Sequence, residues 1–132
     1  MEVKVLVIED EREIIEAITL AIGVYWPKTR VVSTHRANDG IGLVRTESPD
    51  IVILDLGLPD MTGLETLESI RLFSSVPVVI LTAKSEEKDV VNLLEAGAND
   101  YVVKPFRQQE LLARLKTHLI QSMTSEIKAF LK

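Results

Sequence analysis

The sequence contains no cysteine. Disulfide bonds, thiolate zinc sites and cysteine nucleophiles are therefore excluded, and the composition is compatible with a reducing compartment such as the cytoplasm. The chain also has no apolar run near the roughly 20 residues that a membrane-spanning helix requires. Its start, MEVKVLVIED, lacks the cationic beginning and the small-residue cleavage site of a signal peptide. These absences predict a cytoplasmic protein that does not enter a membrane.

Positive charge is also scarce: the chain has 15 lysine and arginine residues against 20 aspartate and glutamate residues, and its formal net charge is -5. Affinity for a nucleic-acid backbone comes mainly from clustered lysine and arginine, so this segment is not expected to contact nucleic acid. With 132 residues, 46% of them hydrophobic, the chain can form one compact core but is too short for two ordinary domains.

Five short runs rich in valine, isoleucine and leucine recur along the chain: VKVLVI (3–8), RVVSTH (30–35), IVIL (51–54), VPVVIL (76–81) and YVV (101–103). Most are apolar at consecutive positions, which is typical of strands buried on both faces of a parallel sheet. Segments with a helical period follow each run: the Ile14–Ile22 stripe, 38–47, 64–73, 85–96 and a last helix from near Arg107. This β-α order predicts an α/β fold, a doubly wound parallel sheet with helices on both faces and right-handed crossovers.

The ends of these helices carry their own signals. Asn38 and Ser85 are candidate N-caps, and Gly97 is a candidate for the residue that closes the fourth helix. Two interpretations of the tail stay open, a continuous last helix or a polar linker QSMTS followed by a short helix EIKAFLK. In the first case Ile127, Phe130 and Leu131 lie on a protruding helix, where they would favour pairing of two copies.

Chemically active residues collect at the predicted carboxyl ends of the strands, which is where sites form in open parallel sheets. Glu9 and Asp10 follow the first strand, Asp55 the third, Thr82 the fourth and Lys104 the fifth. Each has a simpler explanation by itself, since acids favour helix starts, threonine caps helices and lysine commonly snorkels at the surface. The convergence of all five at one edge nevertheless predicts a functional site.

The chemistry of this set is mutually consistent. Two or three carboxylates form a hard-oxygen site suited to Mg²⁺ or Mn²⁺. Asp55 can then attack a phosphorus atom, while the metal and Lys104 supply positive charge and Thr82 supplies a hydroxyl donor. Glu11, the third acid of the VLVIEDE stretch, is predicted to be only a helix-start residue.

Four motifs, taken in order, give the chain a resemblance to a known family: ED at 9–10, DLGLPDMTG at 55–63, LTA at 81–83 and KPF at 104–106. Over residues 3–121 the chain resembles the receiver domain of bacterial two-component response regulators. The resemblance implies a flavodoxin-like, CheY-like fold with strand order 2-1-3-4-5. It also implies a signalling domain that catalyses only its own phosphorylation and dephosphorylation.

The resemblance assigns roles to individual residues. Asp55 is the phosphoacceptor, and Lys104 pairs with the phosphoryl group. Asp10 and Glu9 hold Mg²⁺ or Mn²⁺ together with Asp55 and the backbone carbonyl of Gly57. Glu9 stands where the family most often has aspartate, and its longer side chain is expected to bind the metal through a water molecule. The remaining implied features are the switch pair Thr82 and Tyr101 and a cis peptide bond between Lys104 and Pro105.

Within the family, LEAGANDYVVKPF and ELLARLKTHL resemble the winged-helix transcription factors of the OmpR/PhoB type, and LDLGLPD and AKSEEKD resemble their potassium-uptake regulators. That subclass implies a sensor histidine kinase as partner and a homodimer through the fourth helix, fifth strand and fifth helix. The matching ion-pair residues are Asp100 with Arg114 and Glu95 with Lys116. Val90 and Asn99 depart from the dimer pattern, because the family usually has a basic partner for Glu110 at the first position and aspartate at the second.

The predicted organisation is a receiver domain at 1–121, followed at 122–132 by an extension of the last helix or by the start of a linker to an effector domain outside this chain. Phosphorylation would then control dimerisation and transcription. The alternative is a stand-alone or degenerate receiver that acts as a protein-interaction module. A small-molecule phosphatase with an aspartate nucleophile is disfavoured, because position 57 is glycine where such an enzyme needs a second acid.

Overall fold

The computed structural model describes the backbone of residues 2–131 and the side chains of residues 2–122. Strands and helices alternate along the chain as the sequence predicts. The strands are β1 (Lys4–Ile8), β2 (Arg30–Thr34), β3 (Ile51–Asp55), β4 (Val78–Ala83) and β5 (Asp100–Lys104). The helices are α1 (Arg12–Tyr25), α2 (Ala37–Glu47), α3 (Gly63–Arg71), α4 (Val90–Glu95) and α5 (Gln108–Leu131), and a 3₁₀ helix, η1 (Lys84–Asp89), precedes α4.

The five strands form one parallel sheet in the order β2-β1-β3-β4-β5, which confirms the predicted fold class. β3 is buried at every position, because both of its faces are covered by helices. One layer of the core lies between the sheet and the helices α1 and α5, and the other lies on the face covered by α2, α3 and α4. Consecutive apolar residues therefore serve both layers, with Ile53 in the first and Leu54 in the second.

The predicted N-cap of α2 is wrong, and the reason is a tertiary contact. Asn38 lies inside the helix, which begins at Ala37. The first backbone N–H groups of α2 are satisfied by Asp60, whose Oδ1 and Oδ2 accept hydrogen bonds from Ala37 N and Asn38 N, each at 2.9 Å. Since Asp60 lies 22 or more positions away along the chain, no local signal at α2 could identify this cap.

The segment 85–96 also differs from the single helix predicted for it. Ser85 lies inside η1 and makes no cap, because the charged run KSEEKD has no buried residue to hold a regular helix against the sheet. α4 begins only at Val90, which is buried together with Leu93. Gly97 closes α4 as predicted: its φ is +113°, and its N–H donates to the carbonyl of Leu94.

α5 continues without interruption to Leu131, as in the first interpretation of the tail. Its buried residues Leu111, Leu112, Leu115 and Leu119 pack against α1 and the sheet. The side chains of Ile127, Phe130 and Leu131, on which a surface for pairing was predicted, lie outside the described residues.

Candidate functional site

The predicted site residues meet at the carboxyl edge of the sheet. The register pairs Ile8 with Leu54 and Ala83 with Lys104, so the ends of β1, β3, β4 and β5 lie side by side. Asp55 is the last residue of β3, and Glu9 follows β1 directly, which brings the two acids next to each other. Both are almost fully shielded from solvent, with exposed fractions of 4% and 0%.

Lys104 is the centre of the site. Its Nζ donates a hydrogen bond to Asp55 Oδ1 at 2.8 Å, and it lies 3.0 Å from Glu9 Oε1. Burial by itself lowers the pKa of Lys104, but the contacts with Asp55 and Glu9 outweigh it, and the net effect raises the pKa. The peptide bond from Lys104 to Pro105 is cis. Its contacts with Asp55 and Glu9 hold the ammonium group as a positive charge between two buried carboxylates.

The charged form of Glu9 is disfavoured in this arrangement. Its burial, together with a hydrogen bond to Asp55 that requires a proton, raises its pKa from 4.5 to about 7, although the contact with Lys104 opposes this shift. The approach of Glu9 Oε1 to Lys104 is an ion pair whose angles do not make it a hydrogen bond, so Oε1 is buried without a hydrogen-bond partner in the structure. A buried oxygen without a partner is rare in folded proteins and calls for an ion or a water molecule to satisfy it.

Asp10 and Glu11 complete the acidic edge from the solvent side. Asp10 is exposed, and its carboxylate comes within the same cluster as Glu9 and Asp55, with ligand oxygens all inside 4.8 Å of one another. Glu11 lies at the N-cap position of α1, where its carbonyl accepts from Ile14 N and Ile15 N and its side chain makes no cap hydrogen bond. Its carboxylate also lies 3.9 Å from Lys104 Nζ, a contact that the sequence does not reveal.

This cluster fits a divalent cation of the Mg²⁺ class. Three carboxylates supply hard oxygen atoms, one of them exposed so that water molecules can complete the coordination. The unpartnered oxygen of Glu9 adds a second reason, since a water molecule bound to such a cation would satisfy it. Gly57 leaves space beside Asp55 Oδ2 for a ligand, because a Cβ built at that position would contact this oxygen at 3.5 Å.

The predicted switch residues lie on neighbouring strands next to this cluster. Thr82 is fully buried, and its hydroxyl donates to the carbonyl of Ala83 at 3.1 Å. Tyr101 pairs in register with Ile80, two residues before Thr82, so its ring emerges on the same face of the sheet. The ring is half-buried and packs against the core layer under α2, α3 and α4.

Asp60 supports a loop next to the site, a role that sequence reasoning missed. It lies in the loop between β3 and α3, which carries Gly57, and its hydrogen bonds to the start of α2 hold this loop in place. Those hydrogen bonds, with Asn38 N first and Ala37 N second, lower the pKa of Asp60. The only signal in the sequence is the turn-forming pair Pro59-Asp60, which does not indicate a contact partner.

Two of the four residues predicted for a dimer surface, Asp100 and Arg114, bind each other within the chain. Arg114 Nη1 donates to Asp100 Oδ1 at 2.8 Å, and His118 Nε2 lies 3.1 Å from Asp100 Oδ2. Arg114 Nε is also 3.5 Å from Glu110 Oε1. Glu95 and Lys116 are both exposed, and the described residues include no ion pair between them.

The two departures from the dimer pattern have structural explanations. Val90 is buried at the start of α4, so a charged residue there would lose its hydration. Asn99 Oδ1 accepts hydrogen bonds from Val78 N at 2.9 Å and from Arg71 Nη2 at 3.1 Å. Both residues therefore stabilise the fold of this chain.

No helix in the described part of the chain is long and apolar enough to cross a membrane.

Comparison with known proteins agrees with this geometry. The sequence profile of the response regulator receiver domain matches residues 5–116. The transcriptional regulatory protein KdpE of Mycobacterium tuberculosis is 44% identical over 115 residues, which is 85% of this chain and 49% of that protein. The DNA-binding response regulator MtrA of Mycolicibacterium smegmatis is 40% identical over 119 residues, 90% of this chain and 51% of that protein. The chain thus spans about half the length of these relatives.

Solved structures show the same fold. A signal receiver domain from Vibrio parahaemolyticus superposes with a TM-score of 0.88 at 26% identity, covering 96% of this chain and 97% of that one. A CheY-like response regulator receiver domain protein from Methanospirillum hungatei gives a TM-score of 0.86 at 24% identity, with 95% and 99% covered.

Proposed function

This chain belongs to the response regulator receiver domain family, and from that premise we propose that Asp55 accepts a phosphoryl group from a sensor histidine kinase. The observation that carries the proposal is the contact of Lys104 Nζ with Asp55 Oδ1 at 2.8 Å inside a buried site. A phosphoryl group on Asp55 would place its oxygens within reach of that ammonium group. The fixed positive charge therefore lies where negative charge develops during transfer.

In the proposed reaction, an oxygen of Asp55 forms a bond to phosphorus while the bond from phosphorus to an imidazole nitrogen of the kinase breaks. Lys104 stays in place and stabilises the equatorial oxygens. The hydroxyl of Thr82 exchanges its hydrogen bond to Ala83 for one to the phosphoryl group, and the ring of Tyr101 moves inward behind it. The chain is then an acceptor that catalyses its own phosphorylation and dephosphorylation.

The proposed metal ligands are Asp10, Asp55 and the carbonyl of Gly57, with Glu9 binding through a water molecule. A bound Mg²⁺ or Mn²⁺ supplies charge neutralisation for the phosphoryl oxygens. Burial first, and the neighbouring carboxylate of Asp55 second, raise the pKa of Glu9, so a cation at this site would stabilise the ionised form of Glu9.

The proposed output is regulation of transcription in the cytoplasm. Its support is the identity with regulators that are about twice as long as this chain and whose names describe transcriptional regulation or DNA binding. Phosphorylation would alter the surface of α4, β5 and α5 and so control a homodimer, with the C-terminal part of α5 as the second candidate surface. DNA contact would belong to a further domain, since the segment itself is acidic.

The phosphoacceptor assignment is tested by labelling with a small phosphodonor in Mg²⁺. We expect acid-labile incorporation into the unchanged protein and none into Asp55→Asn, because the amide is a poor nucleophile. Asp39→Asn is the matched control: it alters an exposed acid in the first turn of α2 and should label normally. Persistent acid-labile labelling of Asp55→Asn would place the phosphoacceptor elsewhere.

A further inference from the structure

A pocket lies at the amino-terminal edge of the sheet, at the opposite end of the strands from Asp55. Its volume is about 430 Å³, and it is formed between the end of α1, the start of β1 and the middle of α5. Val3, Trp26, Pro27 and Leu119 provide most of the apolar lining. The volume is within the range of pockets that hold small organic molecules, and the lining is apolar as in such pockets.

Apolar side chains remain exposed around this pocket. Tyr25 and Ile120 also line it, and they are 54% and 49% exposed. Val24, one residue before Tyr25, is 67% exposed. Large apolar groups that stay in water next to a concave apolar lining mark a binding site more often than scattered single residues do.

Two positive charges are associated with the pocket. Lys28 and Lys116 contribute to its lining, and no acidic residue does among the residues that the structure describes there. Neither lysine has an ion pair in the part of the chain described. An apolar pocket with two ammonium groups and no carboxylate is complementary to a ligand that is apolar with one anionic group.

We propose that this pocket binds a small apolar carboxylic acid in its ionised form. The aliphatic or aromatic body of the ligand contacts Trp26, Val3 and Leu119. Its carboxylate stays at the mouth of the pocket, in water, where Lys28 and Lys116 neutralise it. This position avoids the cost of burying the charge while the body of the ligand leaves water.

A second copy of this chain is a less suitable occupant. The C-terminal segment EIKAFLK of a second copy, which carries the apolar residues predicted to favour pairing, has two lysines and one glutamate. Its net positive charge would be repelled by Lys28 and Lys116. Cationic and neutral apolar molecules lack the same complementarity.

Decanoate, used below its micellar concentration, is a suitable probe. Trp26 is the only tryptophan of the chain and lines the pocket, so its fluorescence reports occupancy directly. We expect a saturable change with a dissociation constant below about 1 mM. Amide chemical shifts should change at Val3, Thr29 and Ile120 and stay unchanged at the carboxyl edge of the sheet.

Charge variants separate specific binding from general hydrophobic adsorption. Lys28→Gln and Lys116→Gln should each weaken decanoate binding about threefold, and the double variant about tenfold. Lys88→Gln, which removes an exposed lysine from η1, is the matched control and should bind like the unchanged protein. Decanol should bind more weakly than decanoate, and decylamine more weakly still.

The proposal would be overturned by no saturable response, by equally tight binding of decylamine, or by a response unaffected by both lysine substitutions. A response that depends on protein concentration and accompanies dimer formation would also overturn it, in favour of a second copy. Asp55→Asn should bind decanoate normally, so this test is independent of the phosphoacceptor proposal.

Discussion

At the scale of single residues, Glu9 combines two demands that conflict. It is fully buried beside Asp55, which disfavours its charge, yet the proposed metal site requires that charge. Asp55 and Lys104 alone would form a simpler buried ion pair. We infer that the carboxylate of Glu9 lowers the stability of the folded chain and serves the binding of a cation.

Replacing Glu9 with glutamine tests this conflict. At pH 8 without divalent cations, the pKa of about 7 means that ionised Glu9 opposes folding, since this pKa lies above the ordinary 4.5. Glu9→Gln should therefore raise the free energy of unfolding by about 1–3 kcal/mol. It should also weaken Mg²⁺ binding about tenfold or more, as loss of a water-bridged ligand does.

Thermal unfolding and calorimetric titration with Mg²⁺ measure the two effects. Glu13→Gln, an exposed acid in the first turn of α1, is the control and should change neither quantity appreciably. A less stable Glu9→Gln protein would mean that the ion pair with Lys104 outweighs the cost of burying the charge and the repulsion by Asp55.

Asp60 stabilises the start of α2 through a contact between distant parts of the chain. Asp60→Asn should lower the melting temperature at pH 7, because the amide accepts hydrogen bonds less strongly than the carboxylate. The pKa of Asp60 is lowered in the folded state, so its contribution is complete above the ordinary 3.8 and is lost as the pH falls through the lower folded value.

The difference in melting temperature between the two proteins should therefore be constant at neutral pH and shrink only below about pH 4. Thermal unfolding at a series of pH values measures it. Asp39→Asn provides the comparison, since Asp39 is also in the first turn of α2 but makes no hydrogen bond to the loop before α3 in the described structure. Equal effects of the two substitutions on the melting temperature would mean that Asp60 acts only through the helix dipole, and that its hydrogen bonds to α2 add nothing.

At the scale of elements, the turn from α4 to β5 depends on one glycine. Gly97 has φ of +113°, and a Cβ built there would lie 2.9 Å from Arg71 Nε. Arg71 in turn donates hydrogen bonds to the carbonyl of Gly97 at 2.7 and 3.1 Å. These hydrogen bonds between the guanidinium group of Arg71 and the backbone of Gly97 hold the end of α3 against the turn that leads into β5.

Gly97→Ala should lower the free energy of unfolding by about 1–3 kcal/mol, through backbone strain and displacement of Arg71. Gly42→Ala is its matched control, because a Cβ at Gly42, in the middle of α2, meets no atom within 4 Å. That substitution should stabilise the protein by up to about 1 kcal/mol. Denaturant titration of both variants compares them, and equal destabilisation would contradict the role assigned to Gly97.

The elements that could be predicted from sequence are those whose signals are local. β3 and β4 are apolar at consecutive positions, and Gly97 has the residue type that its φ demands. The start of α2 and the division of the fourth helix could not be predicted, because the first depends on Asp60 and the second on which residues reach the core. The same applies to Glu11, whose contact with Lys104 exists only in the folded chain.

At the scale of the whole molecule, the proposed dimer competes with contacts inside the chain. Asp100 already forms an ion pair with Arg114 and lies beside His118. Val90 is buried and uncharged, so the basic partner that Glu110 usually has across the dimer is missing. Exposed ion pairs are each worth only about 0–1 kcal/mol. The phosphorylated chain is therefore expected to dimerise weakly through α4, β5 and α5.

Sedimentation equilibrium with and without a phosphodonor measures this association. The chain should be monomeric without the phosphodonor and partly dimeric with it, and Asp100→Asn should reduce the dimer without preventing phosphorylation of Asp55. Asp39→Asn should leave the dimer unchanged. A dimer of the same strength in Asp100→Asn would favour the C-terminal part of α5 as the interface.

α1 joins the two ends of the molecule with a single rigid element. It begins at Arg12, next to the acidic edge, and its 14 residues span about 20 Å to Tyr25, directly before Trp26. Any change in Trp26 emission when Asp55 is phosphorylated would therefore report free-energy coupling across the sheet, not direct contact. Thermodynamic linkage is reciprocal, so a molecule bound at Trp26 would then shift the phosphorylation equilibrium of Asp55 by the same factor.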